Sequence, residues 1–257
     1  MLLAIDIGNT NITLGLYRQE ELIRAWRLAT DHDRMPDEFG LELLGLLEHV
    51  DCSPQDLDAA ALASVVPPLT GRFLEACHHY LKVDPLVVDA GVKTGLKIRY
   101  EDPKFALGAD RVVDAVAVLR LYGGPACVVD FGTATTFDAI TGDGEYLGGA
   151  IAPGIGIAAD ALYLRAAKLP RVEIGRPPSA IGRNTVHAMQ SGLLFGYVGL
   201  VEGMVVRFRE ELGEDMKVIG TGGLADLIAK ETDAIEILAP WLTLHGLRLV
   251  WELNQGE

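Results

Sequence analysis

The feature that most restricts the fold is a pattern that occurs twice. The apolar run Leu2-Leu3-Ala4-Ile5 leads into DIGNTNITLG, residues 6–15, and Ala126-Cys127-Val128-Val129 leads in the same way into DFGTATTFDA, residues 130–139. Aligned by eye, Asp6 to Asn11 fall over Asp130 to Thr135, an offset of 124 positions in a chain of 257. Each copy reads as a buried strand, a glycine-containing turn rich in hydroxyl and amide groups, and a second β-type run, which together make a β-hairpin. Two halves with the same opening predict a duplicated α/β protein, with lobes 1–122 and 123–257 joined near Tyr122-Gly123-Gly124-Pro125. The active site is expected in the cleft between them.

The turns have a recognisable chemistry. Glycine lets backbone approach a ligand closely, and turn N–H and hydroxyl groups donate to phosphate oxygens. Asn9, Thr10, Asn11 and Thr13 are such donors. The aspartate at each strand end repels a phosphate unless a cation lies between them, and Mg²⁺ is the usual one in phosphoryl transfer. Asx and Thr residues also stabilise ordinary turns, which would account for one copy. Two copies half a chain apart favour phosphate. A third piece, Lys217-Val218-Ile219-Gly220-Thr221-Gly222-Gly223 before Leu224-Ala225-Asp226-Leu227-Ile228, reads as strand, turn and helix start able to receive a nucleotide at Gly222 and Gly223. No Walker-type loop is present, so an ATP site here is not a P-loop. Gly154-Ile155-Gly156 with Ala159 matches the dinucleotide fingerprint formally, but Pro153 interrupts the strand that should lead into it.

Bulk properties exclude several classes. A formal charge of −14 disfavours nucleic acid and anionic membranes as main partners. No apolar run approaches bilayer length and no basic region precedes Leu2, so neither a membrane span nor a signal peptide is expected. Cys52, Cys77 and Cys127 are far apart and read as reduced thiols of a cytoplasmic protein. The histidines do not cluster at zinc-ligand spacing. Phe39–Val50 and Pro68–Leu81 read as amphipathic helices, and Ala59–Val66 and Pro85–Asp89 as buried strands.

Asn184-Thr185 precedes a long helical pattern through Val186, Met189, Leu193, Tyr197, Leu200, Met204 and Phe208, and capping would explain both residues. Gly192, Gly196, Gly199 and Gly203 lie on one face of that helix. Each costs about 1 kcal/mol relative to alanine, so a helix packed very close is expected, within the domain or across a dimer seam. The seam is preferred, and it would bring Thr185 near a partner's site.

DIGNTNITLG, GADR, DFGTATTFDA, YLGGAIAPGI, IGRNT, MQSG with GYVGLV, and TGGLADLI, in that order, resemble the type III pantothenate kinases, within the acetate and sugar kinase, actin and heat-shock chaperone superfamily. The resemblance runs from residue 3 to about residue 252. It implies two duplicated actin-like (ribonuclease H-like) lobes, each a mixed sheet with helices. It implies transfer of the γ-phosphoryl of ATP to the primary hydroxyl of pantothenate, the first step toward coenzyme A, by a homodimer that uses Mg²⁺ and K⁺ or NH₄⁺. Asp6, Gly8, Asn9 and Thr10 match the first phosphate motif, whose ATP contacts are expected to extend over Ile7, Asn11 and Thr13. Thr133 matches an ATP contact and Asp130 the ligand of the monovalent cation. Gly108, Ala109, Asp110 and Arg111 match the pantothenate-binding segment, with Asp110 as proton acceptor, and Tyr100 and Thr185 match further pantothenate contacts. The chain departs from the pattern by one extra residue between Tyr100 and Gly108, and at His245, where an acidic residue is expected.

Read without the family, Asp110 opens an apolar-periodic stretch (Val112, Val113, Val116, Leu119) and fits a helix N-cap. A carboxylate there could still take the proton of an alcohol as the O–P bond forms. Arg111 could grip a substrate carboxylate or simply be a solvated surface arginine. Two other readings remain: a sugar or short-acid kinase of the same superfamily, and a non-catalytic transcriptional accessory protein.

Overall fold

The computed structural model describes residues 1–89, 91–99 and 107–256. Two compact units divide the chain: a short segment beginning at Leu96 already belongs to the second, the chain passes into it for good within one helix, between Ala117 and Val118, and it returns to the first between Leu242 and Thr243.

The first unit is built on a five-stranded sheet in the order β3-β2-β1-β4-β5. Strands β1 (Leu2–Ile7), β2 (Asn11–Arg18) and β3 (Glu21–Ala29) form an antiparallel meander, while β4 (Ala59–Ser64) and the short β5 (Leu86–Val87) add in parallel. Strand alternation sets the two faces. Leu3, Ile5, Ile7, Ile12, Leu14 and Leu16 point into a core closed by α1 (Pro36–Glu48) and α2 (Pro67–Ala76), with Phe39 and Phe73 ring-stacked at 4.3 Å. α2 continues as a π-helical turn over Cys77–Leu81, so the helical stretch ends where the sequence predicts, in a different geometry.

The other face carries the residues of opposite parity and meets α3 (Ala109–Leu121) and α7 (Leu242–Asn254). Leu244 packs on Gly15, and a Cβ at Gly246 would collide with the Val113 carbonyl, so the two helices touch backbone to backbone there. His245 sits in this contact. Its Nδ1 is 2.9 Å from the Tyr17 hydroxyl, with the rings edge to face. Arg248, itself buried, lies over the Tyr17 ring and pairs with Glu252 at 2.5 Å. Burial, and then the Arg248 charge, hold the His245 imidazole below its ordinary value, and burial pushes the Tyr17 phenol up. The departure noted at residue 245 is thus a neutral imidazole serving a buried phenol.

The second unit holds a six-stranded sheet in the order β11-β10-β7-β8-β9-β6. Its meander is β7 (Ala126–Phe131), β8 (Ala134–Ile140) and β9 (Glu145–Pro153). β10 (Lys217–Gly222) runs parallel to β7, β11 (Ile237–Leu238) parallel to β10, and β6 (Lys97–Ile98) parallel to β9. The core on one face lies under α4 (Ile155–Arg165) and α5 (Thr185–Leu212), with α6 (Ala225–Ala229) after β10.

Two sequence expectations need adjusting. The hairpin ladders close differently: Ile7 pairs with Ile12 in the first, but Phe131 with Thr135 in the second. The first turn is one residue longer, so Thr135 is level with Ile12 and not with Asn11. By length and composition, α5 alone among the described residues could cross a bilayer. Glycines interrupt its apolar run, so no continuous apolar stretch marks it in the sequence. Met189, Leu193, Leu194, Val198, Val201 and Val205 pack one of its faces into the unit's core, as an ordinary core helix does.

Candidate active site

In the first unit the site begins at the end of β1. Asp6 lies between Thr13 on β2 and Ala63 on β4, and Thr13 in turn pairs with Arg27 on β3, so these side chains form one row on the α3–α7 face of the sheet. No sequence signal marks Arg27 as a neighbour of Asp6, because the two residues are joined only through strand register. The turn Gly8–Asn11 is closed by Gly8 N–H donating to Asn11 O at 3.0 Å. Asn9, Thr10 and Asn11 are exposed, whereas the Ile7 side chain is wholly inside the core and offers only backbone to a ligand.

The Gly108–Arg111 segment reaches the same strand ends. A Cβ at Gly108 would lie 3.4 Å from Val65, whose N–H donates to Ile7 O at 3.1 Å. α3 starts at Ala109, and Val112 N–H donates to Gly108 O, so the cap position falls on Gly108. Asp110 is therefore not the N-cap that its place before an apolar stretch predicts. It stands in the first turn, half-buried, where its Oδ1 accepts the Arg111 N–H at 2.8 Å and covers the space a Gly108 side chain would need. Glycine at 108 thus makes room for the Asp110 carboxylate. Tyr100 lies outside the described residues.

In the second unit Asp130 occupies the matching strand end, between Thr136 on β8 and Thr221 on β10. Two glycines fence its carboxylate: a Cβ at Gly132 would come within 3.2 Å of Oδ2, and one at Gly222 would collide with Oδ1. Gly222 has φ +89°, a backbone conformation that side chains disfavour, so its place in the Thr221-Gly222-Gly223 turn is required twice over. Among the described residues no group of three His, Cys, Asp or Glu is gathered to hold a metal. A single carboxylate in a glycine-lined space suits a hard cation that takes its remaining ligands from phosphate oxygens and water.

Thr133 is exposed at the tip of the turn, and its carbonyl accepts the Gly154 N–H at 3.1 Å, just before α4. Tyr197 on α5 donates to Pro153 O at 2.6 Å and ties the helix to this end of β9. Asp138 is buried and accepts from the Tyr146 hydroxyl and, at 3.3 Å, from Thr136, so it anchors the hairpin. Thr185 is exposed in the first turn of α5, while Asn184 is the cap, its side chain accepting the His187 N–H at 2.8 Å. Built Cβ atoms at Gly192, Gly196 and Gly199 meet nothing within 4 Å among the described residues, and at Gly203 only Arg207. The close helix that the glycine row predicts is therefore not found among the described residues.

Two meanders of matching order, each with an aspartate and a glycine turn at the end of its first strand, define an actin-like α/β fold. Solved structures agree at the level of fold. A conserved Campylobacter jejuni protein assigned to the Baf family of transcriptional activators superposes with a TM-score of 0.61 at 20% identity over 98% of both chains. (R)-2-hydroxyglutaryl-CoA dehydratase component A of Acidaminococcus fermentans does so with 0.53 at 16% identity, over 97% of this chain and 95% of its own. Within that class the chain belongs to the type III pantothenate kinase family, whose model matches residues 2–207. It is 54% identical over 256 residues to the type III pantothenate kinase of Roseiflexus sp. strain RS-1, covering 100% of both chains. The sugar-kinase and transcriptional-accessory readings are not favoured.

Proposed function

We propose that this chain transfers the γ-phosphoryl group of ATP to the primary hydroxyl of pantothenate, giving 4'-phosphopantothenate at the start of coenzyme A synthesis. One observation carries the reading beyond family membership. The segment matching the family's pantothenate site, Gly108 to Arg111, ends beside the strand that carries the Asp6 turn.

Phosphoryl transfer has a loose transition state, so the protein's work is positioning and charge. The N–H and hydroxyl groups of Gly8, Asn9, Thr10, Asn11 and Thr13, with the Ile7 backbone, hold the nucleotide's phosphates. Thr133, Gly222 and Gly223 contact the nucleotide in the second unit. Asp110 orients the pantothenate hydroxyl and takes its proton as the O–P bond forms. Arg111 grips the pantothenate carboxylate, and Ala109, Thr185 and Tyr100 complete its contacts. Mg²⁺ held through Asp6 and the phosphates, and K⁺ or NH₄⁺ at Asp130, would supply positive charge that the turns themselves lack. Neither DIGNTNITLG nor DFGTATTFDA contains a lysine or arginine.

The bare glycine face of α5 supports a homodimer closed through that helix. Three buried free thiols and the acidic charge support a cytoplasmic enzyme without nucleic-acid or membrane partners.

An assay coupling ADP release to pantothenate, ATP, Mg²⁺ and K⁺ tests the reading. Asp110→Asn should lower kcat by about 10²–10⁴-fold, the usual span for losing a general base. An unchanged kcat would remove Asp110 from that role, and a wild type releasing no ADP would end the kinase reading. Equal rates in a sodium-only buffer would refute the cation at Asp130. For the dimer, Gly196→Leu should shift the solution mass toward the monomer, and an unchanged dimer mass would remove the seam.

A further inference from the structure

The carbonyl side of the first phosphate turn is held by one residue that no sequence motif includes. Thr30 is the first residue beyond β3. Its N–H donates to Thr10 O at 3.0 Å and its hydroxyl donates to Gly8 O at 2.6 Å. Thr30 is itself fixed, because the chain just beyond it is gripped by Arg72 of α2, which donates to the carbonyls of His32 at 2.6 Å and Arg34 at 2.7 Å. A trans peptide points its C=O and N–H in opposite directions. Pulling Gly8 O toward Thr30 therefore turns the next N–H, that of Asn9, away from β3 and onto the exposed side of the turn. Asn9 N–H makes no backbone hydrogen bond among the described residues, so it is oriented and left open for an anion.

We infer that Thr30 is a positioning residue for the nucleotide: its hydroxyl fixes the Gly8–Asn9 peptide so that Asn9 N–H aims at a phosphate oxygen. The inference rests on the turn binding the phosphates of ATP. It assigns to Thr30 the nucleotide's affinity alone. The pantothenate segment meets β1 through Val65 and Ile7, on the β4 side of the strand, whereas Thr30 acts from the β3 side.

The test compares Thr30→Val, which keeps the N–H and the shape but loses the hydroxyl, with Thr30→Ser, which keeps the hydroxyl. Thr30→Val should raise the KM for ATP about tenfold, the equivalent of one lost hydrogen bond to a site that needs it, while the KM for pantothenate stays within about twofold. Thr30→Ser should recover most of the loss. Calorimetric titration with MgADP, which needs no turnover, should weaken in the valine variant by a similar factor and recover in the serine variant. An MgADP affinity and ATP KM unchanged in Thr30→Val overturn the inference, as does an equal rise in both KM values, which is what general loosening produces. Should the valine chain not fold, Thr30→Ala is read in its place by the same criteria. A wild type that binds MgADP but does not phosphorylate pantothenate would refute the proposed activity and leave the binding comparison decisive for Thr30.

Discussion

The two phosphate-type turns start alike and are braced differently. Each follows an aspartate and a glycine at the end of a central strand, and in each the first residue past the third strand donates its N–H to a turn carbonyl: Thr30 to Thr10, Gly154 to Thr133. The four-residue turn leaves space for a threonine side chain, whose hydroxyl pins Gly8 O. The three-residue turn brings its carbonyls so close that a Cβ at Gly154 would collide with Thr133 O and Gly132 O. A one-residue change in loop length thus decides whether the brace is a side chain or bare backbone. The strand ends, where Asp6 and Asp130 stand, match, and the support differs.

Substitutions can break this contrast. Gly154→Ala should have the largest effect, because backbone carbonyls cannot step aside as a side-chain tip can. We expect a loss of about 3 kcal/mol, the upper range for overpacking, measured by denaturant unfolding. A loss below 1 kcal/mol would show that the shorter turn yields easily. Gly222→Ala comes next. It places a side chain at φ +89° against Asp130 and should cost about 2 kcal/mol. It should also abolish stimulation by K⁺, and full stimulation in the variant would move the cation away from Asp130.

Thr135→Val sharpens the register difference from the opposite direction. Thr135 is fully buried with its hydroxyl unbonded among the described residues, so valine should stabilise by about 1 kcal/mol and leave the KM for ATP unchanged. A rise in that KM would mean that Thr135 is the functional counterpart of Asn11 despite its register. The smallest effect belongs to His245, outside the turns. Its imidazole is held below the ordinary value, so the unfolded chain binds the proton more readily and stability falls as pH drops below ~6.5. His245→Gln should flatten that part of the thermal melting curve against pH, and an identical acid slope would contradict it.

The strands and hairpins were legible because they are local: an apolar run, a glycine turn, then alternation. The aspartates followed from repetition. What stayed hidden depends on register or on distant chain. Thr30 lies more than twenty residues from the carbonyl it holds and is linked to it only by the β2–β3 pairing. Arg27 is joined to Asp6 in the same way. The helix start is two residues earlier than the pattern at Asp110 suggests, because an aspartate before apolar residues is a common cap and only the backbone shows that Gly108 takes that place. The glycine row on α5 was readable as a demand for close packing, but sequence could not say that nothing among the described residues meets it.

The packing of α7 on β2 and α3 has a consequence for how the protein is made. Leu244 and Gly246 are the surfaces that close over Gly15 and Val113, yet they leave the ribosome long after those residues do. Until then the face of the early sheet that α7 covers stays open, exposed to chaperones and to stray association. Synthesis order and folding order therefore run against each other, and a nascent chain stalled before residue 242 should be held in an unfinished state that a released one is not.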